Sequence, residues 1–188
     1  ANKMKQKIIE TKKEKDSLGG IIECKSINLP VGIGNPRFSS IDSDLGRIIF
    51  SIPAVKGIEF GSGFSSSKRK GSQNNDQYKI KNEKIISITN NSGGILGGLT
   101  TGMPLTFRAA FKPPSSISKE QKSVNLKTKK EEKLIVKGRH DPCVLPRAIP
   151  MVEAMMALVL VDHALRQRGQ NGNVQQVGAP YQTRFDQQ

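Results

Sequence analysis

The chain has 188 residues, of which 35% are hydrophobic and none is Trp, so it suits one domain or two small domains with an aliphatic core. The longest uninterrupted apolar run, residues 154–161, falls far short of the roughly 20 residues that a membrane span needs, so we expect no membrane partner. Two cysteines, Cys24 and Cys143, are too few for a disulfide framework, and two histidines without ligand spacing argue against a structural zinc site.

The net charge of +14 at pH 7 suggests a polyanionic partner, but the charge is unevenly distributed. Residues 3–15 hold six lysines, residues 68–84 six basic residues and residues 119–137 seven lysines, which together supply most of the excess. We interpret these segments either as solvated, mobile loops or as a nucleic-acid surface. Because the chain lacks an aromatic platform and any helix-turn-helix or finger pattern, we do not expect nucleic acid to be the partner.

The first third of the chain is predicted to contain one strand and one amphipathic helix. Residues 1–16 are expected to be a flexible, Lys-rich lead or the end of a helix that starts upstream. Mixed β-branched and polar residues predict a strand over residues 21–27. One apolar helix face is predicted over residues 39–51 from the i, i+3, i+4, i+7 spacing of Leu45, Ile48, Ile49 and Ile52. The candidate N-caps of this helix are Ser39, Ser40 and Asp42.

The middle of the chain is predicted to alternate short strands with polar loops. Strands are expected at Val55–Phe60, residues 85–89 and Leu105–Phe111. The loops between and after them are a polar loop or hairpin tip over residues 65–84, a glycine-dense loop over residues 90–98 and a Lys-rich loop over residues 118–133.

The last predicted element is a long helix over residues 151–168, which contain neither Gly nor Pro. Pro150 suits its first position and Gly169 the position just past its end. Its middle is apolar nearly all round, so we expect burial on several sides. His163 is interpreted as a hydrogen-bonded core histidine rather than a catalyst. Residues 170–188 are predicted to be a disordered tail.

Three stretches carry residue types that suit the binding of an anion. The glycines of residues 93–98 either let a ligand approach the backbone closely or form a tight hairpin. Residues 112–116 combine a cation, two hydroxyls and a stiff turn, so they are either a phosphate-binding turn or the end of a strand.

The third stretch is residues 138–143. Arg139 offers a bidentate anion clamp. Asp141, beside Arg139 and His140, is interpreted either as an ionised base or, if buried, as a protonated acid. The alternative is a local salt bridge at the turn before the long helix. With no second histidine motif, Ser-His-Asp and Cys-His catalysis have little support.

Several separated motifs, in the same order, resemble the chorismate synthase family from residue 16 to residue 168. They lie at residues 51–57, 61–64, 92–98, 111–116, 139–143 and 147–155. The resemblance implies the conversion of 5-enolpyruvylshikimate 3-phosphate to chorismate, an anti 1,4-elimination of phosphate that requires reduced FMN. It also implies a place in the shikimate pathway of aromatic amino-acid biosynthesis.

The resemblance also assigns residue roles. The implied FMN contacts are Pro53, Ala54, Gly97, Lys112, Pro113, Pro114, Ser115, Ser116 and Arg139. Arg139 is expected to meet the substrate as well. The implied catalytic residues are Asp141, which would assist proton transfer near the flavin N5, and His140; no metal is implied. Pro114 departs from the family, since it stands where Thr is common and removes a hydroxyl and a backbone donor.

By resemblance, the fold is an α+β sandwich of antiparallel sheets packed on central helices, usually in a tetramer. Residues 17–169 are expected to be the C-terminal half of such a domain. The Gly-x-Ser-His-Gly and Gly-Arg-x-Ser-Ala-Arg motifs of the family's N-terminal half, which accompany its catalytic histidines and several substrate-binding arginines, are absent. We therefore expect the missing half as a partner and poor catalysis without it.

Several alternatives stay open. The flavin could be reduced by an intrinsic NADPH activity or by a separate reductase, and the cytoplasm and a plastid-like organelle both fit two unpaired cysteines. A second hypothesis is a non-catalytic basic module that keeps the flavin-site residues by ancestry and binds a polyanion or nucleic acid through its lysine loops.

Overall fold

The structure, a computed structural model, describes residues 2–81 and 84–172. Within these residues the helices are Asn2–Lys13 (α1), Ile41–Phe50 (α2), Gly71–Asn74 (α3) and Leu145–Asn171 (α4), with a 3-10 helix at Gly63–Lys68. The strands are Gly20–Ser26 (β1), Val55–Phe60 (β2), Tyr78–Lys81 (β3), Lys84–Ser87 (β4), Ile95–Leu96 (β5), Leu99–Thr100 (β6), Leu105–Phe111 (β7), Gln121–Asn125 (β8) and Lys130–Leu134 (β9).

The central sheet is antiparallel and has the strand order β1-β7-β2. Gly20 of β1 lies opposite Phe111 of β7, and Ser26 lies opposite Leu105. Every second side chain of β7 is buried, so one face of the sheet carries the core. The predicted strands Val55–Phe60 and Leu105–Phe111 are confirmed with the same bounds, and the strand predicted over residues 21–27 is confirmed as β1.

Two helices cover the buried face of this sheet. α2 packs against β2 and α4, and α4 packs against β1. Ile41, Leu45 and Ile49 of α2 are completely buried, as the apolar spacing predicted. Of the three candidate N-caps, Ser40 is the one that accepts a hydrogen bond, from the Ser43 N–H at 3.4 Å.

α4 begins six residues earlier than the sequence predicted. Its first residue is Leu145, and Pro146 takes the place in the first turn that we had assigned to Pro150. Pro150 lies inside the helix, where it removes one backbone donor. Gly169 also lies inside the helix, which ends at Asn171 and is capped by Gly172. Glycine and proline cost a helix stability but do not always end it, so the predicted bounds were too narrow.

The expected burial of α4 on several sides is wrong for this chain. One face is buried and carries Val152, Met156 and His163, which are at most 3% exposed. The opposite side exposes a stripe of Leu158, Val161 and Leu165, each more than half exposed. By length and composition alone α4 could cross a membrane, contrary to the sequence-based expectation, but its buried face makes it a core helix of the fold.

His163 is a core histidine, as predicted. Its Nε2 lies 3.0 Å from the Asp44 carboxylate, and its side chain is 1% exposed. Asp44 belongs to α2, so this contact ties the two core helices together through buried polar groups that satisfy each other.

The Lys-rich segments have more secondary structure than the sequence predicted. Residues 65–84 contain most of the 3-10 helix, α3 and one strand of the β3-β4 hairpin, and the strand predicted at residues 85–89 is β4. Residues 118–133 form most of the β8-β9 hairpin, and all five side chains of β9 are exposed. The lead over residues 1–16 contains α1, so it is helical rather than flexible. Of the predicted tail, residues 173–188 lie outside the described residues.

Candidate active site

A short segment between α1 and β1 brings two of the predicted site stretches together. The Leu18 N–H donates to the Pro142 carbonyl at 2.7 Å, and Leu18 forms a parallel bridge with Cys143. The neighbouring Ser17 hydroxyl donates to the Pro114 carbonyl at 2.6 Å. Residues 112–116 and residues 139–143 therefore lie on either side of residues 17–20. We call these three segments together the junction.

Gly19 makes the junction possible because its chain approaches the end of β7 very closely. A Cβ atom built on Gly19 would lie 2.3 Å from the Phe111 carbonyl oxygen and 2.9 Å from the Pro113 nitrogen. A Cβ on Gly20 would lie 2.5 Å from the Leu145 side chain, at the start of α4. Glycine is therefore required at position 19, where the neighbours are backbone atoms, whereas at position 20 the Leu145 side chain could move.

Ala54 adds a third predicted stretch to the same end of the sheet. Its carbonyl accepts a hydrogen bond from the Lys112 N–H at 2.8 Å, because Val55 pairs with Phe111 where β2 begins and β7 ends. Ala54 has a φ of +72°, an unusual conformation for a residue with a side chain. Pro53, Lys112, Ser115 and Ser116 are exposed beside it. The junction thus presents a cation and two hydroxyls to solvent.

Asp141 has a different partner from the one that the sequence suggested. Its carboxylate lies 3.4 Å from Arg147 Nε, in the first turn of α4, and accepts from the Cys143 N–H at 3.4 Å. Arg139 is exposed, and the His140 Nε2 lies 2.9 Å from the Val136 carbonyl. The local salt bridge that we considered as the alternative is therefore present, with Arg147 as its cation.

A cleft of about 160 Å³ opens beside Asp141 and His140. The end of α1 and the residues that follow also line it, with Lys12, Lys15 and Asp16. Asp16 lies 2.8 Å from the Lys119 ammonium, whose hydrogen bond holds the pKa of Asp16 below its ordinary value. Through this ion pair, the Lys-rich residues 118–133 reach the rim of the cleft.

Gly97 lies apart from the other predicted flavin contacts. It follows β5, and the next residue, Gly98, packs against Ser40 and Asn35 at the start of α2. Ala54 follows the other end of α2, whose ten residues span about 15 Å. A Cβ on Gly97 would meet no atom within 4 Å, but the φ of +60° at Gly97, in the two-residue turn that joins β5 to β6, favours glycine there.

The remaining titratable side chains offer no metal site. Among the residues that the structure describes, no three His, Cys, Asp or Glu side chains are grouped to hold an ion. Cys24 and Cys143 are both buried and unbonded to each other, and burial, with Glu153 nearby, raises the pKa of Cys24. The candidate site is therefore the junction and its cleft.

Comparison with known proteins identifies the family of this chain. The chain matches the family model described as chorismate synthase over residues 1–165. The chain belongs to the chorismate synthase family. Curated chorismate synthases from Dehalococcoides mccartyi and Methanococcoides burtonii are each 52% identical to it, over 159 and 166 residues. These matches cover 85% and 88% of this chain but 44% and 45% of the relatives, so the chain spans less than half their length.

The fold of this chain agrees with that of a solved relative. A structure described as the crystal structure of chorismate synthase matches it with a TM-score of 0.71 at 32% identity. The match covers 89% of this chain and 43% of that one. The resemblance to the chorismate synthase family and the α+β class predicted from the sequence are therefore confirmed.

Asp76 is a residue of the candidate site region that sequence reasoning missed. Its carboxylate accepts from the Asn91 N–H at 2.6 Å, the Ser92 N–H at 2.9 Å and the Ser92 hydroxyl at 2.7 Å. Thr89 Oγ1 donates a fourth hydrogen bond at 2.7 Å. Burial alone would raise the pKa of Asp76, but these hydrogen bonds together hold it below its ordinary value.

The sequence offered little signal for this arrangement. Asp76 stands in a basic, polar segment, and its partner Asn91 is 15 residues away. The chain between them is a hairpin, whose register decides which groups meet. Asp76 therefore anchors the entrance to the glycine-dense loop that carries Gly97.

Proposed function

We propose that this chain supplies the flavin-binding part of a chorismate synthase, an enzyme that eliminates phosphate from 5-enolpyruvylshikimate 3-phosphate to give chorismate. The observation that carries the proposal is the junction, where residues 17–20 bond both to residues 112–116 and to residues 139–143, and where Lys112 also bonds to Ala54. A substrate with a phosphate and two carboxylates, and a cofactor with a phosphate, need such a gathering of cations and backbone donors.

The exposed groups of the junction fit the phosphate-bearing cofactor FMN. Lys112, Ser115 and Ser116 face solvent on one turn, and Arg139 is exposed on the neighbouring segment. We propose that these residues, with Pro53, Ala54, Pro113 and Pro114, hold FMN. Reduced FMN would supply the electron-rich ring on which the elimination depends. Gly97 can contact FMN only if the bound cofactor extends along α2 to the other end of that helix.

We propose that Asp141 is the residue that holds and moves a proton in this site. Its carboxylate lies at the cleft and is oriented by Arg147 and by the Cys143 N–H. His140 is oriented by its contact with the Val136 carbonyl and lines the same cleft. Such fixed orientation is what a proton-transfer group requires, because geometry decides whether the proton can be reached.

We propose further that the part of the family sequence that this chain lacks covers two surfaces. β1 and β2 each pair only with β7 among the described strands, so the outer edges of both are unpaired. α4 exposes the stripe of Leu158, Val161 and Leu165. Unpaired edges and exposed apolar stripes favour association, and the matches leave more than half the length of each relative uncovered. We also propose that the assembled enzyme is a tetramer.

Chorismate formation tests the proposal directly. The chain is mixed anaerobically with reduced FMN and 5-enolpyruvylshikimate 3-phosphate, with and without a separately produced N-terminal half of a family member. We expect turnover only when the half is added. No turnover in either mixture, with both chains folded by circular dichroism, would contradict the proposal.

A second candidate function is polyanion binding by a non-catalytic module. The observation in its favour is the β8-β9 hairpin, which carries five exposed lysines on its two strands and the turn between them: Lys122, Lys127, Lys129, Lys130 and Lys133. An FMN titration at two salt concentrations separates the candidates. The lyase predicts stoichiometric flavin binding that substrate strengthens. The module predicts weak flavin binding and an affinity for nucleic acid that falls steeply with salt.

A further inference from the structure

The junction fixes the backbone around Asp141, so the direction of its side chain is what remains to be set. The Pro142 carbonyl accepts from the Leu18 N–H at 2.7 Å, and Leu18 forms a bridge with Cys143. Because Asp141 precedes a proline, its own backbone is largely restricted to extended conformations. A group that directs the carboxylate must therefore act on the side chain itself.

Two groups contact the two oxygens of this carboxylate. The Cys143 N–H donates to Asp141 Oδ1 at 3.4 Å, and Arg147 Nε lies 3.4 Å from Asp141 Oδ2. The first contact is local, since Cys143 follows Asp141 by two residues. Arg147 belongs to the first turn of α4, where its N–H donates to the Val144 carbonyl at 3.0 Å. It therefore holds the carboxylate from a separate element.

The position of Arg147 in α4 is unfavourable for the helix, which is an independent observation. Arg147 is the third residue of α4, whose first turn contains no acidic residue. The N-terminal end of a helix carries partial positive charge, so a cation there is repelled. The Arg147 side chain is also 80% exposed, so it packs against little. A residue that breaks a local rule without a packing gain indicates a functional role.

The other cations around the cleft do not replace Arg147. Arg139 precedes Asp141 by two residues and is exposed. Lys12 and Lys15 line the cleft. In the part of the chain that the structure describes, Arg147 is the one cation that forms an ion pair with Asp141.

We propose that Arg147 is a positioning residue, which orients the Asp141 carboxylate toward the cleft for proton transfer. The inference rests on the proton-transfer role that the proposed function gives to Asp141. Arg147 itself is not among the residues that line the cleft, so it acts through Asp141. Removing its guanidinium should therefore slow the reaction without changing what the site binds.

Steady-state kinetics of the reconstituted enzyme test this role. Arg147→Gln removes the cation, Arg147→Lys keeps a charge, and Arg168→Gln removes the same charge from the last turn of α4 as the matched control. We expect Arg147→Gln to lower kcat about tenfold, with KM and FMN affinity changed less than about twofold. Arg147→Lys should restore most of the turnover, and Arg168→Gln should retain all of it. An unchanged kcat in Arg147→Gln, or an equal loss in Arg168→Gln, would overturn the proposal.

A double variant separates this inference from the proposed function. Asp141→Asn leaves no carboxylate to orient, so adding Arg147→Gln should lower turnover by less than about twofold further. A full second loss would show that Arg147 acts elsewhere and would overturn the positioning role. Unchanged turnover in Asp141→Asn alone would instead remove Asp141 from the proton transfer. A loss in Asp141→Asn with none in Arg147→Gln would overturn only the role of Arg147.

Nuclear magnetic resonance of the intact chain tests the positioning without any turnover. The amide resonance of Cys143 reports on the carboxylate, because this N–H donates to Asp141. Arg147→Gln should move the resonance toward the position that it takes in Asp141→Asn, and Arg168→Gln should leave it in place. A Cys143 resonance that does not move in Arg147→Gln would overturn the proposal.

Urea unfolding of the intact chain distinguishes positioning from a structural role. Arg147→Gln should be nearly as stable as the wild type, because the lost ion pair and the relieved repulsion from the helix end oppose each other. A rise of about tenfold or more in the equilibrium constant for unfolding would be too large for an exposed ion pair. Such a result would show that Arg147 stabilises the fold and would overturn the proposal.

Discussion

The two ends of the central sheet are held by different kinds of interaction. At the junction, Gly19 lets two backbones meet, and Ser17 and Leu18 bond directly to backbone carbonyls. At the opposite end, one carboxylate, Asp76, gathers the entrance of the glycine-dense loop through four hydrogen bonds. The junction therefore depends on shape, whereas the loop depends on charge, and the two ends should fail under different conditions.

The largest expected effect comes from one substitution made at each end. In a complete enzyme, Asp141→Asn at the junction should lower turnover by about 100-fold or more, because an amide cannot hold or pass on the proton. FMN affinity should change less than twofold. Turnover and flavin titration are the measurements, and Asp162→Asn, at an exposed carboxylate elsewhere on α4, is the control.

The same substitution at Asp76 should leave kcat nearly intact once the protein is folded and saturated with ligand. Unchanged turnover in Asp141→Asn, or an equal loss of kcat in Asp76→Asn, would contradict the division of roles between the two ends. The first result would also remove Asp141 from the proton transfer.

Steric failure of the junction is the next largest effect. Gly19→Ala places a methyl group within 2.3 Å of the Phe111 carbonyl oxygen, so strands or turn must shift. We expect a loss of about 3 kcal/mol in the free energy of unfolding. Urea denaturation of the wild type and of Gly19→Ala measures this loss of stability.

Gly46→Ala in α2 is the matched control for this loss. A Cβ at Gly46 meets no atom within 4 Å, and alanine favours the helix by about 1 kcal/mol. Both substitutions replace glycine by alanine, so they change the conformational entropy of the unfolded chain equally. A loss of stability in Gly19→Ala and a gain in Gly46→Ala would therefore isolate the effect of packing at Gly19. A stability change of the same sign in both variants would contradict the steric account.

The shape of each end could be predicted from sequence only where the signal is local. The apolar spacing of α2 and the alternation in β7 gave their elements because each follows from neighbours along the chain. Gly19 approaches Phe111, which is distant in sequence, and a pair of glycines does not indicate which segment of the chain will pack against it. The family motifs identified the residues of the junction but not how residues 17–20 join them.

The errors have the same physical origin. The apolar composition of α4 indicates burial, yet it does not say which surfaces this chain provides, and one side remains exposed. Asp141 stands beside Arg139 and His140 in sequence, but the first turn of α4 carries Arg147 to its carboxylate. Both cases were decided by the position of a helix that begins at Leu145, earlier than the prolines suggested.

The glycine-loop end should respond to pH. Hydrogen bonds hold the pKa of Asp76 below its ordinary value of 3.8, so the ionised carboxylate stabilises the fold above that pH, and its contribution is lost as the pH falls through the lower folded value. Asp76→Asn should lower the free energy of unfolding by about 1–2 kcal/mol at pH 7. The loss is no larger because the carboxylate is only partly buried, and solvent weakens its interactions. The difference from wild type should shrink below about pH 4.

Urea unfolding at several pH values measures this difference, and Gly19→Ala provides the contrast. Its loss of stability is steric and should be the same at pH 7 and at about pH 3, which is below the ordinary pKa of an aspartate. A pH-independent difference for Asp76→Asn would show that the loop is not held by charge, and the distinction between the two ends would fail.

The smallest effect is expected at the end of α1, where a charged residue stands at a backbone position that glycine prefers. Lys15 adopts a φ of +58° at the position that closes the helix, a conformation that costs a residue with a side chain about 1 kcal/mol. Lys15→Gly should therefore raise the free energy of unfolding by about 0.5–1 kcal/mol. Lys7→Gly, in the middle of α1, should lower it by about the same amount. If Lys15→Gly instead lowers the stability, the lysine side chain stabilises the helix end through contacts that outweigh the strain.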